Sequence, residues 1–215
     1  MKKTLFAIAL ISLPVLMFSQ NKFLFNPSVG FAWRTAEKPS GLTAAENDYL
    51  KQLTSGFHFD IGGYYMIKQD WGIGLKFNQY SASAEATLPI VMPDNSVQNL
   101  PVKTDDRITF VGPSIFGGNF SSETKHKYIA GISLGYLSYN SNTEGVEITG
   151  ANLGLVADLG YQYQVSPKFS VGPQLGITAG TLTKIEVEGQ TIELPEDSKE
   201  GLHRVSVSLG ATIRL

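Results

Sequence analysis

The sequence has no cysteine, few charged residues and, after its first twenty residues, no apolar run long enough for a membrane-spanning helix. The lack of cysteine excludes disulfides, thiolate metal ligands, cysteine nucleophiles and a lipid anchor on an N-terminal cysteine. Charged residues make up 17% of the 215 positions, and 17 basic against 19 acidic residues leave a net charge of -2 without a basic tract, which argues against nucleic-acid binding. An apolar fraction of 42% excludes a disordered chain. These values predict a folded protein of one domain or at most two.

The start of the chain has the three-part pattern of a secretory signal peptide. Lys2 and Lys3 form its basic region, and the fourteen residues 5–18 form a mostly apolar stretch. This stretch is shorter than the roughly 20 residues of a transmembrane helix, so the pattern favours a cleaved signal at 1–19 over a membrane anchor or a buried N-terminal helix. The mature domain is then predicted to be residues 20–215, exported from the cytoplasm.

Beyond residue 20, segments of about ten residues alternate apolar with small or polar side chains, which is the period of β-strands. Eight such segments are present, at 23–34, 57–65, 71–78, 107–117, 128–136, 153–163, 169–179 and 204–215. The last is the most regular. In the fourth, Ile108 and Phe110 fall in the apolar row, and the period is then lost over 111–114.

The charged residues of these segments all lie on the face that also carries glycine, serine and threonine. They are Arg34, Asp60, Lys76, Asp158, Arg204 and Arg214. A soluble barrel with this pattern would bury six ions, at several kcal/mol for each unpaired ion. In a membrane the pattern is favourable, because an arginine or lysine that faces lipid at mid-depth costs about 2–4 kcal/mol. The sequence therefore predicts an all-β fold, an eight-stranded antiparallel up-and-down transmembrane barrel with its ions inside.

Aromatic residues of the apolar rows cluster at both strand ends, as in the girdles of membrane barrels. One end carries Phe23, Phe25, Tyr65, Trp71, Tyr128, Tyr161, Tyr163 and Phe169, and the other carries Trp33, Phe57 and Tyr136. Long connections at 36–54, 83–105 and 183–201 and a medium one at 140–149 alternate with short ones at 68–70, 120–125 and 165–168. Short turns face the periplasm in outer-membrane barrels, which predicts that side for Lys68, Lys125 and Lys168.

Two long connections alternate like strands themselves. Residues 184–194 and 86–102 do so across turn signals, so we expect strands three and four, and seven and eight, to continue beyond the membrane as paired ribbons. The connection 183–201 is also acidic, with Glu186, Glu188, Glu193, Glu196, Asp197 and Glu200 against Lys184 and Lys199. A solvated surface is the simplest interpretation, and a cation site is the alternative.

A resemblance to a known family rests on four stretches, Phe110–Ser114, Gly131–Tyr136, Gly160–Gly172 and the alternating end Val205–Leu215. They resemble the small outer-membrane β-barrel family, which includes the OmpA-type and OmpX-type domains, and more closely the outer membrane protein β-barrel domain of Bacteroidota. The resemblance implies an eight-stranded barrel in the cell outer membrane, placed there by the barrel-insertion machinery. It implies no particular activity. Leu215 departs from the aromatic residue that usually ends the insertion signal.

Eight polar residues are predicted to form a network that fills the lumen. They are Arg34, His58, Asp60, Lys76, Asp158, Gln174, Arg204 and Arg214. An eight-stranded barrel is only wide enough for side chains, and buried ions need partners. We expect Asp158 to lie opposite Gln174, and Arg204 and Arg214 to find acceptors on neighbouring strands. Such a lumen is closed, which excludes a general porin.

The three histidines are the candidates for acid–base chemistry. His126 falls in a periplasmic turn and His203 on the lipid-facing row, whereas His58 faces the lumen two residues from Asp60. A Ser-His-Asp site also needs a serine on a neighbouring strand with inward parity, and the pattern offers none near His58. No phosphate-binding loop or metal-binding histidine pair occurs. We therefore predict no cofactor, no metal site and no enzymatic activity.

The sequence thus favours a monomeric outer-membrane barrel with a structural or surface-interaction role through its extracellular loops. Its expected partners are outer-membrane lipids and lipopolysaccharide, the barrel-insertion machinery during biogenesis, and an extracellular partner of the loops, but no nucleic acid. One alternative is a narrow conduit or small-solute binding site in the lumen. Another is an enzyme that modifies lipid A or phospholipid through His58.

Overall fold

The structure, a computed structural model, describes residues 22–35, 41–195 and 200–215. The predicted signal peptide at 1–19 lies outside the described residues, and so do Glu196, Asp197 and Lys199. Within the described ranges the elements are, in order, β1 (Phe23–Arg34), α1 (Ala44–Thr54), β2 (Ser55–Met66), β3 (Trp71–Val91), β4 (Val97–Gly118), β5 (His126–Thr143), β6 (Val146–Ser166), β7 (Phe169–Leu182), β8 (Lys184–Val187), β9 (Gln190–Glu193), β10 (Glu200–Gly201) and β11 (Arg204–Arg214). No helix in these ranges is long and apolar enough to cross a membrane.

Eight of the strands close into an antiparallel barrel. Each strand from β1 to β7 pairs with the next, and β11 pairs with both β7 and β1. The closing pair of strands joins Leu24 to Arg214 at one end and Arg34 to Arg204 at the other. Closure removes the free edges that an open sheet would expose. The predicted eight-stranded antiparallel barrel is confirmed.

The outer surface of the barrel is an apolar belt. Leu75, Leu159 and Leu209 are 65%, 64% and 60% exposed, whereas the residues that alternate with them, such as Ser206 and Ser208, are buried. Because a strand repeats every two residues, each outward side chain shares its face with the whole row. A belt of this extent is stable against lipid and not against water. The predicted transmembrane polarity is therefore confirmed.

Exposed aromatic side chains mark both ends of the barrel, with Trp33 and Phe57 at the end opposite to Phe23 and Tyr65. Phe23 pairs with Tyr65 at one end, with the rings 5.4 Å apart. That end carries the short connections 67–70, 119–125 and 167–168, and we call it the turn end. The opposite end, which carries the longer connections, is the loop end. Each inward residue can thus be placed at a height between the two.

Strand β4 corrects part of the sequence interpretation. Ile108 and Phe110 belong to the inward row and are fully buried, whereas Val111 and Ile115 face outward. The strand runs without a break from Val97 to Gly118, so one parity holds throughout. The lumen is apolar at the height of Ile108 and Phe110. An apolar side chain there gives no sequence signal to distinguish lumen from lipid.

Strands β3 and β4 continue beyond the barrel as a paired ribbon. Their pairing persists to Val91 and Val97, whereas β5 pairs with β4 only as far as Thr104. The turn follows at 93–96, where the backbone N–H of Ser96 and its hydroxyl both donate to Asp94 Oδ1. The predicted ribbon at 86–102 is confirmed.

The connection after β7 forms a second hairpin, from β8 and β9. Val187 pairs with Gln190 across a turn at 188–189 in which both residues have positive φ, the geometry that matches the twist of the flanking strands. The predicted pairing in this region is confirmed. Strand β8 of this hairpin pairs with β6. The hairpin therefore extends β6 and does not continue β7 and β11 as a ribbon. A second turn of this kind, at 144–145, shortens the predicted connection 140–149 to a tight turn.

The first long connection, 36–54, contains a helix that the sequence analysis missed. Its N-terminus is a capping box, in which Glu46 N donates to Thr43 Oγ1 over 3.3 Å and Thr43 N donates to Glu46 Oε2 over 2.7 Å. The Thr43-Ala-Ala-Glu46 spacing was the available signal. At the end of α1, Tyr80 of β3 donates its hydroxyl hydrogen to Leu53 O over 2.8 Å. The helix is thereby fastened to the loop end of the barrel.

Candidate functional site

A buried ion cluster crosses the middle of the lumen. Lys76 Nζ on β3 lies 2.7 Å from Asp60 Oδ2 on the adjacent strand and 2.7 Å from Asp158 Oδ2 on β6, across the barrel. The Lys76 side chain is only 3% exposed. Pairing places Lys76 between Gly62 and Gly112, which present no side chain to crowd it. One cation therefore joins two carboxylates from different walls of the barrel.

A second ion pair lies nearer the loop end. Arg34 Nη1 on β1 donates to Asp106 Oδ2 on β4 over 3.2 Å, and the Tyr139 hydroxyl donates to the other carboxylate oxygen over 3.1 Å. The Arg34 guanidinium also stands 5.7 Å from the centre of the Tyr139 ring. Asp106 was missed because the predicted fourth strand began one residue after it. Extending the inward row from Ile108 through Asp106 would have found it.

Arg204 is almost completely buried and has a different kind of partner. Its Nη2 donates to Asn78 Oδ1 on β3, and its guanidinium lies 5.9 Å from the centre of the Tyr80 ring. Its Nε and Nη1 make no hydrogen bond to any described residue. The expectation of an acceptor on a neighbouring strand is wrong, because the residues paired with Arg204 are Arg34 and Thr178 and the side chain reaches across the lumen instead.

Arg214 lies at the turn end, apart from the ion cluster around Lys76. Its Nη2 donates to Phe120 O over 3.4 Å, and its guanidinium carbon is 4.5 Å from the centre of the Phe120 ring. Phe120 belongs to the connection between β4 and β5, so this acceptor too comes from outside the neighbouring strands. Arg214 thus lies at the turn-end opening of the barrel and not in the ion cluster around Lys76.

Asp158 and Gln174 do not face each other as predicted. Asp158 pairs with Gly176 and Gln174 pairs with Gly160. The difference arises mainly because Ser166 pairs with Phe169, which places the turn at 167–168 instead of 165–168, and a bulge between Gln164 and Ser166 then shifts the register by one residue. The Gln174 side chain is buried, and its amide nitrogen makes no hydrogen bond to a described residue.

His58 faces the lumen opposite Tyr80 of β3, and it is 2% exposed. Its Nδ1 makes no hydrogen bond to a described residue. The nearest inward serine in the register is Ser28, which pairs with Asp60 and whose hydroxyl contacts Ser208 Oγ at 3.3 Å. The prediction that no inward serine lies near His58 is therefore wrong, because the register places Ser28 opposite Asp60. The hydrogen bonds that would activate this serine as a nucleophile are absent among the described residues.

The other groups considered for acid–base or metal chemistry lie at the surface. His126 is exposed at the turn end, with its Nδ1 2.6 Å from the Tyr161 hydroxyl, and His203 is exposed beside β11. In the acidic connection, Lys184 lies 2.7 Å from Glu193 and holds the pKa of that carboxyl below its ordinary value. The described part of the chain has no group of three or more His, Asp or Glu side chains placed to hold a metal ion.

Two apolar clusters occupy the lumen above and below the central layer, where polar side chains were expected. The loop-end cluster is formed by Ala32, Tyr80, Ala82, Ile108, Phe110, Leu137, Val156, Leu182 and Leu202. The turn-end cluster is formed by Leu24, Tyr64, Phe116, Phe120 and Ile129. In the latter, the rings of Tyr64 and Phe116 stack with their centres 4.5 Å apart. The ion cluster of Lys76, Asp60 and Asp158 therefore lies between two apolar clusters. The Arg34–Asp106 pair and the Arg204 guanidinium adjoin the loop-end cluster.

Comparison with known proteins gives matches of fold and not of sequence. No family model matches the chain, and no curated protein matches it. Neisserial surface protein A is 14% identical with a TM-score of 0.53, over 91% of this chain and 98% of that one. A major outer membrane protein from Thermus thermophilus is 11% identical with a TM-score of 0.50, over 90% of this chain and 98% of that one. The outer membrane protease OmpT from Escherichia coli is 8% identical with a TM-score of 0.48, over 93% of this chain and 99% of that one.

The matches to Neisserial surface protein A and to the Thermus thermophilus protein agree with the likeness to small outer-membrane barrels found in the sequence. At such identities they concern the fold alone. The narrower likeness to the Bacteroidota domain remains a prediction.

Proposed function

We propose that this protein is a monomeric outer-membrane barrel with a closed lumen that presents a stiff ribbon and a hairpin to the outside of the cell. The observation that carries the proposal is the layered interior, in which two apolar clusters enclose the ion cluster of Lys76, Asp60 and Asp158. A barrel filled in this way is a platform rather than a passage. Its role is then structural or interactive.

The lengths of the connections support the orientation. The turn end has short connections and the loop end carries the ribbon, the hairpin and α1, which is the asymmetry of outer-membrane barrels with the turns in the periplasm. Lys68, Lys125 and Lys168 then face the periplasm. The apolar belt contacts outer-membrane lipids and lipopolysaccharide, and the barrel-insertion machinery delivers the chain.

The ribbon supplies a surface for an extracellular partner. Its exposed apolar side chains include Ile90, Val91, Val97 and Leu100. Pro89 and Pro101 lie on its two strands and have no N–H to offer an added strand, so they protect its edges from β-pairing. A partner therefore contacts the faces of the ribbon.

The alternatives drawn from the sequence receive less support. A conduit requires a water-filled path, whereas packed side chains of the two apolar clusters occupy the lumen on both sides of the ion cluster. An enzyme that acts on lipid requires a nucleophile at the membrane surface, whereas His58 is buried inside the barrel.

The closed lumen predicts the electrical behaviour of the reconstituted protein. In planar bilayers we expect no steady ion current from the full mature chain, because hydrated ions cannot cross either apolar cluster. A general porin inserted under the same conditions serves as the positive control. A stable ion conductance from this protein would contradict the proposal and favour the conduit.

Surface interaction is tested by changing the ribbon alone. Serine at Ile90, Val91, Val97 and Leu100 removes the apolar contact surface while the backbone pairing stays. We expect cells that display this variant to lose most of their adhesion to polystyrene beads relative to the wild type, because the bead surface buries these side chains. Serine at the polar ribbon positions Gln98 and Asn99 is the matched control. Equal adhesion of all three strains would remove the ribbon from the proposal.

A further inference from the structure

The turn end of the barrel opens into a vestibule of about 580 Å³. Its floor includes Leu24 and Phe120 of the turn-end cluster, and its rim carries Lys22, Lys68 and Arg214. A pocket of this size is within the range of small-ligand sites. Because Leu24 and Phe120 point into the lumen, the vestibule opens to water at the barrel mouth and not sideways to lipid.

None of the three rim cations forms an ion pair with a described residue. The carboxylate whose charge acts on Arg214 is that of Asp70. Ser121 donates its backbone N–H to Asp70 Oδ1 over 2.5 Å and its hydroxyl hydrogen to Asp70 Oδ2 over 2.6 Å. These hydrogen bonds hold the pKa of Asp70 below its ordinary value, so Asp70 stays charged and partly offsets Arg214. Three cations against this one carboxylate leave the vestibule with net positive charge.

Aromatic rings hold two of the cations in place. The Arg214 guanidinium stacks on Phe120 and donates one hydrogen bond to its carbonyl oxygen. The Lys22 ammonium lies 5.8 Å from the centre of the Tyr65 ring. A guanidinium fixed in this way loses little further freedom on binding, and its planar fork fits a carboxylate.

We infer that this vestibule binds a short peptide through its free carboxylate and the apolar side chain of its last residue. The rim supplies the positive charge for the carboxylate, and the floor of Leu24, Met66 and Phe120 covers the side chain. A bare inorganic anion would leave this floor in contact with water, and an uncharged apolar molecule would leave the cations without partners. A peptide end satisfies both parts of the vestibule.

The test uses the isotope-labelled barrel in phospholipid nanodiscs and two probes, the dipeptide acetyl-Ala-Leu with a free carboxylate and the same dipeptide with an amide end. We expect the free acid to shift the backbone amide signals of residues 66–69 and 120–121. The amide form should bind about tenfold more weakly or worse, because it lacks the charge-assisted hydrogen bonds. Equal affinity for both probes would overturn the inference.

Variants separate the vestibule from general attraction to a basic surface. Arg214→Gln and Lys68→Gln should each weaken binding of the free acid about tenfold, as expected for loss of a hydrogen bond to a charged group. Lys125→Gln and Lys168→Gln, at turn-end positions that do not line the vestibule, should change it less than about twofold because surface charges are screened. Equal losses in both sets would refute a specific site.

A third probe, dodecyl phosphate, decides between peptide and lipid. If it shifts the same signals at lower concentration than the dipeptide, the vestibule is a lipid-headgroup site and the inference is wrong. Because binding is measured on the isolated barrel, the result is independent of the conductance and adhesion experiments.

Discussion

Replacing Lys76 by methionine should destabilise the barrel by about 3–5 kcal/mol, which is the usual cost of removing one partner from a buried ion pair. Asp60 and Asp158 would be left as two uncompensated carboxylates in the lumen, since both contact the same Nζ at 2.7 Å. The free energy of unfolding is measured by urea titration in phospholipid vesicles with tryptophan fluorescence. Lys103→Met, at an exposed lysine of β4, is the control and should stay within about 0.5 kcal/mol of the wild type.

A compensated variant shows whether the loss comes from charge or from packing. Asp60→Asn and Asp158→Asn added to Lys76→Met remove all three ions, and this triple variant should recover most of the lost stability. A single Lys76→Met that costs less than about 1 kcal/mol would mean that water already solvates the two carboxylates.

Replacing Leu209 by arginine should cost about 2–4 kcal/mol, because the side chain would enter hydrocarbon near the middle of the membrane. Leu209 is 60% exposed on the outer surface and pairs with Val29 and Pro173 on its two neighbours. Val91→Arg is the matched control, since Val91 is 67% exposed but lies on the ribbon beyond the barrel. It should change the free energy of unfolding by less than about 0.5 kcal/mol.

Comparing these two arginine variants shows whether lipid or water surrounds the apolar belt. Both positions are exposed and apolar, so a water-soluble barrel would tolerate both substitutions equally. Equal small effects in vesicles would therefore contradict a lipid-facing belt, whatever the stability of the wild type.

The outward half of the barrel was predictable because lipid imposes a strict rule on it. Charged side chains are excluded from the belt, so the position of Lys76 or Asp158 in the sequence fixes the parity of its strand. The inward half follows no such rule. A closed lumen accepts ions that have partners and apolar side chains that pack, and both occur along β4, as Asp106 and Phe110. The predicted fourth strand began after Asp106 and contained no charged inward residue. Ile108 and Phe110 were therefore assigned to the wrong face.

Contacts across the lumen were less predictable than the strands that supply them. The Asp158–Gln174 expectation was wrong by two residues because the turn lies at 167–168 instead of 165–168 and a neighbouring bulge shifts the register by one residue. The partner of Arg204 is Asn78, on a strand far from β11 in the sequence, and only the closed ring brings them together. Helix α1 was missed because it lies in a connection that was assumed to be coil, although its Thr43–Glu46 capping box was visible in the sequence.

The pairing of β1 with β11 has a consequence for biogenesis. The two strands that seal the ring are the first and the last of the described chain, so the seam forms only after every other strand has been synthesised. An assembly dominated by contacts this distant in the sequence folds slowly. Until the seam closes, the terminal strands expose unpaired backbone amides and the apolar belt is incomplete, so a partly assembled barrel is prone to aggregate.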